Sequence, residues 1–112
     1  MSQITTHILD TTKGKPATGV NITLLQQAGD NWQEIANGIT NSDGRIADLL
    51  PKEKQLELGV YKMKFDTQEY FEQDGTANFY PFVEIVFNVA STEHYHVPLL
   101  LNPFGYSTYR GS

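Results

Sequence analysis

His94-Tyr95-His96-Val97-Pro98-Leu99-Leu100-Leu101-Asn102-Pro103-Phe104-Gly105-Tyr106-Ser107-Thr108-Tyr109-Arg110-Gly111-Ser112 closes the chain. It reads as strand, turn, strand. Asn102, Pro103 and Gly105 are turn residues, and each limits or frees the backbone in a way a reversal needs. Alternate residues of a strand face opposite sides. One face of this strand carries His94 and His96, where solvated Lys or Glu would be ordinary. The chain then ends on Tyr109-Arg110-Gly111-Ser112 without a polar tail. A last strand ending there gathers an arginine, a hydroxyl and a carboxylate. Termini fray unless something ties them down, and the aromatic residues around this one predict that it is held.

The same period of two recurs upstream, so the chain is predicted to be mostly β. Gln3 to Leu9 is a first strand, followed by a polar loop from Asp10 to Pro16. Val20, Ile22 and Leu24 alternate with Asn21, Thr23 and Leu25 in a second. Ala28-Gly29-Asp30-Asn31 is a hairpin turn leading into Trp32–Ile39. Asn41-Ser42-Asp43-Gly44-Arg45 is a further turn, with a short edge strand expected over Arg45–Leu50 up to Pro51. Tyr61, Met63 and Phe65 mark another strand, and Val83, Ile85, Phe87 and Val89 the inward face of the next. One helical signature interrupts them at Asp66–Gly75, with Asp66 as cap, Glu69 completing a capping box and Gly75 as the stop. About eight short strands with regular turns predict an all-β, two-sheet sandwich with one short helix.

Composition narrows the function. The 112 residues suit one domain, residues 1–112, which hides roughly two thirds of its unfolded surface. Without cysteine there is no disulfide, thiolate nucleophile or Cys-ligated zinc. The net charge of −5, with Lys and Arg scattered, argues against nucleic acid, which needs a clustered basic face. No stretch approaches the ~20 apolar residues of a membrane span. Met1 to His7 has neither a basic region nor an apolar run. No secretory signal is therefore expected, and a cytoplasmic location is.

Spacing alone says little about the histidines. His7 in mid-strand is ordinarily a surface residue, and an arginine after a tight turn, as Arg45 is, is ordinarily solvated. His94 and His96 on one face could also be zinc ligands from a strand, with His7 as a third. No Ser-His-Asp arrangement and no paired carboxylates are legible.

Several motifs together resemble the transthyretin-related proteins. They are Thr6-His7-Ile8-Leu9-Asp10, Gly14-Lys15-Pro16-Ala17, Asp43-Gly44-Arg45, Tyr70-Phe71, Phe79-Tyr80-Pro81, Tyr95 to Leu101 and Pro103 to Thr108. The similarity runs through the whole chain. The closing Tyr109-Arg110-Gly111-Ser112 is similar to the 5-hydroxyisourate hydrolase branch, not to the hormone carriers. Asn102 departs from the family, which more often has Ser before that proline.

The resemblance implies a transthyretin-like sandwich and a metal-free, cofactor-free cyclic-amide hydrolase. It would act on the product of urate oxidation and give 5-hydroxy-2-oxo-4-ureido-2,5-dihydro-1H-imidazole-5-carboxylate. It implies catalytic roles for His7, Arg45, His96 and Ser112, and substrate binding by His7, Arg45, Tyr109 and Arg110; His94 would then be a rim residue. Histidines near neutral pKa suit water activation, a planar cation suits the oxygens of a purine-like ring, and which histidine is the base stays open. It also implies a homotetramer with sites where two dimers meet. Phe82 and Val86, opposite the core face of their strand, and Leu99 and Leu101, opposite His94 and His96, are expected to offer apolar area for that contact. Two rivals remain: a small-ligand carrier on the same fold, and a structural β-domain.

Overall fold

The computed structural model describes residues 2–112. Eight strands form two four-stranded sheets. They are β1 (Ile4–Asp10), β2 (Lys15–Pro16), β3 (Asn21–Ala28), β4 (Asn31–Ile39), β5 (Gly59–Phe65), β6 (Val83–Val89), β7 (Tyr95–Asn102) and β8 (Gly105–Thr108). A single helix among the described residues, α1 (Thr67–Glu72), lies between β5 and β6. One sheet has the order β2-β1-β7-β8, the other β4-β3-β5-β6. All pairings are antiparallel except β1 with β7, which run parallel with Ile4 opposite Tyr95, Thr5 opposite His96 and His7 opposite Pro98.

Period two divides each strand into a core face and an outer face. From β1, Ile4, Thr6, Ile8 and Asp10 point inward and are buried. Ile4 and Ile8 join Ile22 and Leu24 of β3 and Tyr61, Met63 and Phe65 of β5 in one core across the sandwich. The inward polar groups are satisfied, as burial requires. Thr6 Oγ1 donates to the Val97 carbonyl at 2.6 Å. The Asp10 carboxylate accepts the Thr12 and Lys13 N–H groups and the Tyr70 hydroxyl at 2.7 Å. Burial and that carboxylate both push the Tyr70 phenol well up from its ordinary value. Buried Gln3 accepts from the Leu56 N–H and donates to the Ser91 and Glu93 carbonyls, fixing the approach to β7.

Four expectations are corrected. Arg45–Leu50 is not a strand: Arg45 makes one isolated bridge to His7 and the rest is turn and bend. The eighth strand is instead Lys15–Pro16, expected as loop, which folds back to pair with Leu9 and Asp10. The Asp66 side chain does not cap α1; it accepts the Asn21 amide at 3.0 Å. Leu99 and Leu101 lie in the core, 0% and 2% exposed, so they offer no area to another chain. Their parallel pairing with β1 turns them inward beside Ile8, a long-range choice that period two does not carry. Phe82 and Val86 are exposed, at 41% and 57%. Asn102 uses its carboxamide oxygen to accept the Phe104 N–H at 2.9 Å, closing the β7–β8 turn.

One glycine holds this architecture to the outer face. Gly44 has φ +72°, and a Cβ there would lie 2.5 Å from the Ile8 carbonyl oxygen. Gly44→Ala should therefore destabilise the fold by about 1–3 kcal/mol, lowering the thermal midpoint by several degrees. An unchanged midpoint in a calorimetric scan would contradict the reading.

Candidate active site

The outer face of the β1–β7 pair carries Thr5 and His7 from one strand and His96 from the other, all half-buried. Thr5 sits directly opposite His96, and His7 two residues further along. Two segments extend this face at its edges. On the β1 side, the Asn41–Arg45 turn is closed by the Gly44 N–H to the Asn41 carbonyl and by the Asn41 side-chain oxygen accepting from Asp43 and Arg45. The Ile8 N–H donates to the Gly44 carbonyl at 2.9 Å, and Arg45 pairs antiparallel with His7. Opposed residues project to the same face, so the guanidinium stands beside the imidazole. On the other side, the Gly111 N–H donates to the His96 carbonyl at 2.9 Å. A Cβ on Gly111 would lie 2.5 Å from His96 Cδ2, so only glycine lets the chain pass against that ring.

The result is a hollow of about 460 Å³ lined by Thr5, His7, Arg45, His94, His96, Tyr109, Gly111 and Ser112. The resemblance had pointed to His7, Arg45, His96, Tyr109, Arg110 and Ser112, and the structure brings all but Arg110 to this hollow. Arg110 is elsewhere. It pairs with Glu93, stacks 4.4 Å over the Tyr95 ring and reaches the His94 carbonyl at 3.4 Å. It lines a neighbouring apolar hollow of about 470 Å³ with Ile85, Phe87, Tyr95 and Val97. His96 and Tyr109 border both hollows.

The electrostatics favour neutral imidazoles. His96 is pushed below its ordinary value by burial first, then by Arg45, His94 and His7. His7 is lowered by burial and by Arg45, with partial opposition from Asp43. A neutral imidazole has one nitrogen lone pair free to accept a proton. No carboxylate side chain among the described residues lines the hollow. Among the described residues no group of three or more His, Cys, Asp or Glu is placed to hold a metal ion. Sequence reasoning missed two contacts: Thr5 Oγ1 lies 2.8 Å from His94 Nε2 and 2.8 Å from His96 Nδ1. The signal available for Thr5 was its place two residues before His7, on the same face of β1.

A sequence model of the HIUase/transthyretin family matches residues 4–111. The chain belongs to that family. It is 46% identical over 114 residues to the 5-hydroxyisourate hydrolase of Mus musculus, covering 99% of this chain and 96% of the mouse protein. It is 43% identical over 113 residues to that of Deinococcus radiodurans, with 97% and 95% covered. Among solved structures, sea bream transthyretin in complex with thyroxine superposes with TM-score 0.90 at 35% identity, covering 97% of this chain and 94% of that one. Klebsiella pneumoniae 5-hydroxyisourate hydrolase does so with TM-score 0.86 at 36% identity, covering 97% and 98%. A transthyretin seen in complex with thyroxine and a 5-hydroxyisourate hydrolase fit the backbone about equally well, so function within this family lies in side chains.

Because both rings are depressed, the unfolded chain takes up protons first as pH falls. The stability tied to the neutral rings is present above their ordinary 6.5 and is lost as pH drops below it. Removing the guanidinium with Arg45→Gln should raise the pKa of both His7 and His96 toward that value. Histidine NMR titrations would show it; two unmoved curves would refute the Arg45 contribution.

Proposed function

We propose that the chain hydrolyses 5-hydroxyisourate, opening a ring amide to a carboxylate in urate degradation. The observation that carries this is the single hollow holding two depressed histidines, one guanidinium and the Tyr109–Ser112 terminus. A cyclic amide or imide needs an activated water and a donor to the oxyanion it forms. His7 and His96 face the hollow as neutral rings; one of them takes up the proton of the attacking water and returns it to the substrate's ring nitrogen as the C–N bond breaks. Arg45 holds the oxygens of the purine-derived ring by charge and by its planar set of donors. Tyr109 and Ser112 close the hollow with hydroxyl groups. Arg110, tied to Glu93 and to the His94 carbonyl, anchors the terminus beside the site.

The reading extends to assembly and place. A homotetramer with sites at the dimer–dimer interface is supported by the exposed Phe82, just before β6, and Val86 on β6 and by the open edges of β6 and β8. Closed symmetry is the common outcome for such surfaces. Work in the cytoplasm is supported by the acidic, cysteine-free composition. The carrier reading has the apolar neighbouring hollow in its favour, and a turnover assay separates the two.

The test is ultraviolet decay of freshly generated 5-hydroxyisourate with and without protein. His7→Asn and His96→Asn should each slow the catalysed decay about a hundredfold, the scale of a lost general base. The rate of the unaltered protein should fall in acid, with its midpoint below 6.5, and EDTA should leave it unchanged. Wild-type rates in both variants would sink the assignment. Removing residues 109–112 should abolish turnover in a chain that circular dichroism still shows to be β; a folded, fully active truncate would contradict the role of the terminus. Phe82→Asp should lower mass by light scattering and turnover together, and an active monomer would overturn the shared-interface proposal.

A further inference from the structure

Thr5 and His94 stand in the hollow without a role in the reaction proposed above. Their geometry is specific. One hydroxyl, Thr5 Oγ1, lies 2.8 Å from His96 Nδ1 and 2.8 Å from His94 Nε2. The two rings lie near-parallel, at 23°, with centroids 6.4 Å apart. A hydroxyl has one proton to donate and lone pairs to accept with. It cannot donate to both imidazoles. At least one ring nitrogen must therefore be protonated and donate to Thr5; if the Thr5 proton also stays within the trio, the other ring nitrogen accepts it. The hydroxyl couples the two tautomers.

The surroundings choose between the two arrangements. The Cδ2 edge of His96 is turned to Gly111 and its Nδ1 to Thr5, which leaves the distal edge with Nε2 for the hollow. Arg45 lines that hollow too. A fixed cation favours a lone pair on the imidazole edge that shares its cavity and disfavours an N–H there. The state of one ring nitrogen is set by the hydrogen bond the other makes. His94 is held in reach by its neighbours: Gln3 donates to the Glu93 carbonyl at 3.2 Å and Arg110 to the His94 carbonyl at 3.4 Å.

We infer that Thr5 is a positioning residue that locks His96 in the Nδ1–H tautomer, accepting that proton while donating its own O–H to His94 Nε2. His96 then presents the Nε2 lone pair to the attacking water. When Nε2 takes the proton of that water, the imidazolium keeps its Nδ1–H bond to Thr5, and no bond in the Thr5–His94 pair has to break. His94 acts through Thr5 as the acceptor that orients the hydroxyl. Arg45, His7 and His94 are the charged or titratable groups that depress His96, and Tyr109 lines the same hollow.

This rests on the hydrolase reading, and two separate readouts keep the two apart. Long-range proton–nitrogen NMR reports the His96 tautomer in alkaline buffer; 5-hydroxyisourate decay reports kcat and KM. The unaltered protein and Thr5→Ser should both show the Nδ1–H form and similar turnover. Thr5→Val, equal in shape but without the hydroxyl, should lose that form and about tenfold or more in kcat with little change in KM. A His96 that is Nε2–H in the unaltered protein overturns the lock. So does a Thr5→Val protein that keeps its tautomer, or changes tautomer with full kcat. If Thr5→Val does not fold, His94→Ala removes the acceptor instead, and an unmoved tautomer there overturns the inference. An unaltered protein that leaves 5-hydroxyisourate untouched but shows the Nδ1–H lock would refute the hydrolase reading alone.

Discussion

The parallel pairing of β1 with β7 is the constraint on which the rest depends. It joins residues about ninety positions apart, Thr5 opposite His96 and His7 opposite Pro98. A slip of one residue would turn every side chain of one strand to the other face. Thr6, whose hydroxyl donates to the Val97 carbonyl, would then leave the core, and Thr5, His7 and His96 would no longer share a surface. The register is fixed by burial, since Ile4, Ile8, Leu99 and Leu101 must all face the second sheet. The core thus sets the geometry of a site that lies wholly on its outer side.

Around that pair the chain adds one group from each flank. The Asn41–Arg45 turn brings a permanent cation to the β1 side, and the Tyr109–Ser112 segment brings hydroxyls to the β7 side. Each flank depends on a glycine at a close approach: Gly44 over the Ile8 carbonyl and Gly111 over the His96 ring. The cation lowers the basicity of both imidazoles, which costs proton affinity but keeps the lone pairs free near neutral pH. In the proposed hydrolysis the same guanidinium would offer the substrate its counter-charge. A site of this kind trades driving force for proton transfer against the fraction of rings in the basic form.

Much of the fold was legible because period two survives in nearly every strand. Tyr61, Met63 and Phe65 read correctly as one inward face, and so did Val83, Ile85, Phe87 and Val89. Asp43-Gly44 read correctly as a turn. What the sequence hid was the choice of neighbours. Leu99 and Leu101 form a legible face, yet nothing local says whether it meets the second sheet or another chain. Lys15–Pro16 is too short and polar to read as strand, and pairs only because the loop folds back on β1. In the site, His7, Arg45 and His96 drew notice through family resemblance, because their spacing alone fits ordinary surface residues. Arg110 lies against Glu93 and Tyr95 and lines the neighbouring hollow, contacts across a segment no local pattern predicts. Thr5 escaped notice since a threonine in a strand needs no explanation.

The central claim is that His7 and His96 serve one reaction in one hollow. A double-mutant cycle on 5-hydroxyisourate decay tests it most directly. Groups that act as a unit are strongly non-additive: removing both costs little more than removing the worse one. The account predicts that the His7→Asn/His96→Asn double variant is about as slow as the slower single variant, while the unaltered protein accelerates the decay. Losses that multiply would contradict it by showing that the two rings contribute independently, and no acceleration by the unaltered protein would contradict it outright.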